Sequence, residues 1–173
     1  MQYTPGVIAV VALIGLVACV FDVRTRRIPN ALTFGAAAVG VVYHGATGGL
    51  PGVLGSVGGW TVGALLFAPV FALGGMGGGD VKLLAALGAW LGAWQSVWIA
   101  IFAGLAGGVM AVLVALSHGY MRTALRNIWL LLMHWRVMGL RPLPTLTLDT
   151  SDAPRLPYAL PIMVGLLVTL WRS

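Results

Sequence analysis

The 173-residue chain has no glutamate, a single cysteine, and only four acidic residues against ten basic ones. Charged residues make up 8% of it and hydrophobic residues 60%. A soluble domain carries roughly 25% charged residues, so this scarcity excludes a soluble globular class and implies an all-α polytopic membrane protein. The lone cysteine, Cys19, excludes a disulfide framework and a tetracysteine zinc site. Polar sequence is too scarce for a separate soluble domain, so residues 1–173 are expected to form one transmembrane domain.

Basic residues are also missing from the N-terminus. A secretory signal opens with positive charge, whereas MQYTPGVIAV has none and Arg24, Arg26 and Arg27 follow the apolar run instead. Leu16-Val17-Ala18-Cys19 resembles a lipoprotein cleavage box, but the charge order is reversed for such a signal. An uncleaved first span is expected, with its N-terminus outside.

What is present is apolar length. A span needs about 17–25 mostly apolar residues, and packed helices can be shorter. Six spans are expected. The first covers about 5–21, and the second starts at Pro29-Asn30, with Asn30 as cap, and ends near Tyr43. A loop HGATGGLP leads to a third span over about 52–73. The stretch 81–116 is too long for one helix, so a tight turn is expected at Gln95-Ser96, between Trp90, Trp94 and Trp98. A last span covers about 156–171.

With that orientation Arg24, Arg26, Arg27, Lys82, Arg122, Arg126, Arg136, Arg141 and Arg155 fall on the cytosolic side and only Arg172 outside, the positive-inside pattern. Residues 119–141 are too short in apolar run to span. They are expected to form an interfacial helix on the inner leaflet, with Trp129 and Trp135 at headgroup level and arginines facing anionic lipid. No nucleic-acid role is expected. Gly55, Gly59 and Gly63, and Gly88 and Gly92, recur every four residues, spacing that lets helix backbones approach closely.

Two acids stand apart. Asp22 and Asp80 each lie where an apolar helix reaches the cytosolic face, and a charge at bilayer depth costs on the order of 2.5–3.5 kcal/mol on insertion scales. Two carboxylates meeting at one membrane face suggest an acid/base pair, as in an intramembrane aspartyl protease. Asp149 and Asp152, in TLDTSDAP, read as turn or capping residues. No metal or other cofactor is expected: His44 lies outside, His118 and His134 are isolated, and two aspartates are a poor zinc set. The run Gly74-Gly75-Met76-Gly77-Gly78-Gly79 before Asp80 predicts non-helical backbone, able to bring an extended substrate within hydrogen-bonding distance.

Three stretches carry a family resemblance: Asp22-Val23-Arg24-Thr25-Arg26-Arg27-Ile28-Pro29-Asn30, Gly77-Gly78-Gly79-Asp80-Val81-Lys82, and Leu156-Pro157-Tyr158-Ala159. Together they resemble the type IV prepilin peptidases, in the short form found with Flp (tight-adherence) pilus systems. The resemblance implies an enzyme of the bacterial inner membrane that cleaves the leader from pilin precursors at the cytosolic face. Asp22 and Asp80 would be its catalytic pair, sharing a proton because two close carboxylates cannot both ionise easily.

Gly77, Gly78, Gly79, Pro29, Asn30, Pro157 and Tyr158 would support substrate or site. Lys82 and Arg24, each two residues beyond an acid, would favour its ionised form. The paired cysteines of the longer members are absent, which implies peptidase without methyltransferase activity. A presenilin-like protease shares Gly-x-Gly-Asp, and a proton-coupled transporter or scaffold with an aspartate pair is the rival from another class. The oligomeric state is not legible.

Overall fold

The computed structural model describes residues 3–139 and 156–172. Arg141, Asp149, Asp152 and Arg155, with the turn expected at the two acids, lie outside the described residues. The described residues form helices α1 (Pro5–Thr25), α2 (Asn30–Ala72), α3 (Gly78–Leu91), α4 (Ala93–Ser117), α5 (Met121–Met138) and α6 (Ala159–Trp171). The all-α class is as expected, and α1, α2 and α4 are each long and apolar enough to cross a membrane.

Helix α1 begins where Thr4 accepts from the Val7 N–H and Pro5 occupies the first turn, where its missing N–H costs nothing. It ends at Arg26, which turns left-handed (φ 54°) just before Ile28-Pro29. The expected Asn30 cap is not used. Pro29 stands at the helix start, its carbonyl accepting from Leu32 and Thr33, and Asn30 turns its Oδ1 to Lys82 instead.

The 43 residues of α2 are two helical halves folded back at one residue, Gly49 (φ 60°, ψ −148°). A Cβ on Gly52 would collide with the His44 carbonyl. In a straight helix those residues would stand about 12 Å apart, at 1.5 Å per residue. The eight-residue loop expected at 44–51 is therefore a reversal at a single glycine, in a backbone basin essentially closed to other residues.

Both halves grip α3. Along the first, Ile28 meets Gly79, Asn30 meets Lys82 and the Ala36 carbonyl meets Trp90, so it runs parallel to α3. Along the second, Gly63 meets Leu84 and Gly59 meets Gly88, so it runs antiparallel. A Cβ on Gly59 or Gly88 would enter the other's carbonyl oxygen, the close approach their spacing predicts. Gly55 faces open space instead. Every residue from Leu83 to Leu91 is buried, which makes α3 the centre of the core.

The turn after α3 lies at Gly92 (φ 85°), three residues before the expected Gln95-Ser96. Ser96 stays helical because its hydroxyl is satisfied there, donating to the Gly92 carbonyl at 2.9 Å. Helix α6 completes the bundle antiparallel to both α1 and α4. Its Met163 and Leu166 meet Gly15, and its Gly165 meets Ile99 and Ala103. Helix α5 occupies the segment expected to be interfacial and buries no residue.

Candidate active site

These packing directions bring the last turn of α1, the first turn of α3 and the start of α6 to one end of the bundle. Asp22 and Asp80, 58 residues apart in sequence, both lie there. Both are buried, at 8% and 7% exposure, and the charge on Asp22 is felt at Asp80. Each lies by the N-terminus of a helix. The Ala159 N–H, first in α6, donates to Asp22 Oδ2 at 3.0 Å. The Asp80 carboxylate lies near the Gly77 N–H, and the Asp80 N–H donates to the Gly77 carbonyl at 3.2 Å.

The placement is half of a capping box: Asp80 stands three residues after the cap, but Gly77 has no side chain to complete it. It corrects the expectation of non-helical backbone up to Asp80: Gly78 and Gly79 are the first two residues of α3. A first turn makes few obligatory backbone bonds, so glycine is tolerated there. The irregular part is Leu73 to Gly77, where Gly74 adopts φ 76° and Gly77 is extended. Ile28 packs where a Gly79 Cβ would point, and Phe71 where a Gly78 Cβ would.

The two cations are not where the sequence put them. Residues i and i+2 of a helix do not face each other. Lys82 donates to Asn30 Oδ1 at 2.9 Å and lies 5.6 Å from the Phe34 ring centroid. Arg24 is exposed, on a shallow groove of about 290 Å³ with Cys19, Val20, Val23 and Leu160. Pro157 precedes α6 and its carbonyl accepts from Leu160. Tyr158 caps α6, packs edge-on to Phe67 and feels the charge of Asp80. Its hydroxyl fills the space beside Gly107, where a Cβ would stand only 2.9 Å from it.

Sequence reading missed Ala159 and Cys19 as site residues. The Cys19 Sγ donates to the Ala159 carbonyl at 3.3 Å, so both backbone polar groups of Ala159 are engaged by α1 side chains. A backbone donor carries no residue-type signal. The family-like stretch 156–159, with Pro157-Tyr158 read as supporting substrate or site, pointed to this place.

Residues 9–112 match the type IV leader peptidase family, a stretch that includes both buried aspartates. The chain belongs to that family. Comparison with curated proteins and with solved structures returned no match. Membership, with the three long apolar helices, makes this a membrane protein of a leader peptidase family whose substrates are proteins. Tyr158 and Ala159 lie beyond the matched residues, yet they close the site around the family's stretch.

Proposed function

We propose that the chain is an aspartyl endopeptidase that removes the leader from type IV, Flp-like pilin precursors at the cytosolic face of the bacterial inner membrane. The observation that carries this reading is the burial, at one end of the bundle, of two carboxylates within electrostatic reach. One carboxylate, ionised, takes a proton from water as that water attacks the scissile carbonyl. The other, protonated, hydrogen-bonds the developing oxyanion and then protonates the leaving amine. The N–H of Ala159 holds the Asp22 side chain in fixed orientation, the preorganisation such chemistry needs, and the first turn of α3 carries Asp80. The irregular backbone before Asp80 offers an edge to an extended substrate.

Six spans fit the membrane: α1, both halves of α2, α3, α4 and α6. The positive-inside rule then turns the aspartate end toward the cytosol, with Arg24, Arg26, Arg27 and Lys82 beside it. Co-expression with the candidate precursor and mass spectrometry of the pilin N-terminus tests the reading. Cleavage is expected for the native protein and lost in both Asp22→Asn and Asp80→Asn. Cleavage surviving in one variant removes that aspartate from the mechanism. No cleavage by the native protein of its genomic-neighbour pilin moves the aspartate pair toward proton-coupled transport.

A further inference from the structure

One element takes no part in the site or the bundle. Helix α5 buries none of its 18 residues, and of the other described helices it packs mainly against α4. It is not a neutral spacer. Leu125, Ile128 and Leu132 are each more than half exposed and recur at three- and four-residue spacing, so they share a face. Arg122, Arg126 and Arg136 follow a second row along one border of that face, Arg136 two heptads beyond Arg122. On the opposite arc Thr123 is exposed, while Asn127 and His134 are half-buried. The segment contains three arginines and no acid.

Its position limits what can cover it. Helix α4 crosses the membrane with Val109, Val112, Leu113 and Leu116 exposed, and α5 begins four residues after α4 ends. Its apolar face therefore starts at the level where a bilayer's hydrocarbon gives way to headgroups. A solvated helix would leave that face in water. The site end of the bundle also carries Arg24, Arg26, Arg27 and Lys82, so an anionic surface would be attracted there.

We infer that α5 is a lipid-reading helix: it lies in the membrane interface with Leu125, Ile128 and Leu132 among acyl chains and Arg122, Arg126 and Arg136 on anionic phospholipid headgroups. Arginine stems cover the apolar border while the guanidinium groups reach phosphate. Apolar burial holds the helix down, and each arginine near an anionic surface strengthens docking roughly fivefold.

The test uses full-length protein in phosphatidylcholine nanodiscs, with or without phosphatidylglycerol. An environment-sensitive fluorophore is placed on Leu132→Cys or, on the opposite arc, on Thr123→Cys; the native protein, whose Cys19 is buried, serves as the labelling control. With phosphatidylglycerol present, the probe at 132 should be quenched by nitroxide lipids and shielded from aqueous iodide, and the probe at 123 the reverse. Removing phosphatidylglycerol, or making Arg122→Gln, Arg126→Gln and Arg136→Gln together, should reduce that shielding several-fold. Equal iodide access at 132 and 123 would overturn the inference, as would shielding indifferent to lipid charge, which a protein partner or purely apolar docking would produce. The two lipid compositions compared on the native arginines decide the matter even if the triple variant fails to fold.

Discussion

At the residue scale the aspartates are less self-sufficient than their spacing suggests. Asp22 depends on a peptide N–H 137 residues away. Replacing the Ala159 amide by an ester removes that donor and leaves the side chain unaltered. A hydrogen bond to a charged group contributes about 1.5–3 kcal/mol. The ester is therefore expected to lower kcat for leader cleavage by roughly ten- to a hundredfold with KM unchanged, while an ester at Leu160, whose N–H serves only the Pro157 carbonyl, leaves kcat near normal. Lys82 gives the opposite expectation. Its ammonium is engaged with Asn30, so Lys82→Met should leave the pH–rate profile unmoved and cost no more than about 1 kcal/mol of stability. A displaced profile would restore the role first expected for it.

Helix by helix, glycine sorts into two kinds that the sequence does not separate. Gly49 has open space around it and a backbone angle that side chains avoid. Gly49→Ala is expected to cost about 1–3 kcal/mol through backbone strain alone. Gly88 is an ordinary helical residue whose Cβ would strike the Gly59 backbone, so Gly88→Ala must prise two helices apart and should cost more. Gly55→Ala, on open space, should be near neutral. Reversible unfolding in micelles ranks the three.

Helical class and the helical segments were legible because long apolar runs have few other uses in a membrane, and two lone acids in such runs marked the residues that lie buried at one end of the bundle. Turn positions were not. Reversal at Gly49 and Gly92 depends on which glycine takes a positive φ, and polar residues such as Gln95 and Ser96 draw attention from it. The helical start at Gly78 was hidden too, because a glycine cap followed by two more glycines carries no side-chain signal of a helix start.

For the whole molecule, orientation is the open quantity that charge counting can be held to. Reporter fusions at Gly49 and Gly92 should be active only for a periplasmic reporter, and a fusion after Ser117 only for a cytosolic one. The reversed result would put Asp22 and Asp80 on the outer face and end the proposed function. Comparing fusion sites within one chain makes the result independent of expression level.

The 14-residue α3 spans about 21 Å at 1.5 Å per residue, well short of a hydrocarbon core of about 30 Å. Its last carbonyls, which lipid could not satisfy, are each claimed by a different part of the chain: Ala89 by Ser56, Trp90 by His44, Leu91 by Tyr3. All three donors precede α3 in the chain. Biogenesis is thereby ordered. The segment bearing Asp80 is a poor substrate for independent membrane insertion, and it acquires a stable place in the bilayer only after α1 and the folded α2 hairpin are there to receive it. The aspartate that arrives with α3 thus joins the end of the bundle that holds Asp22 as part of insertion itself, and the site closes when α6 brings the Ala159 N–H to Asp22.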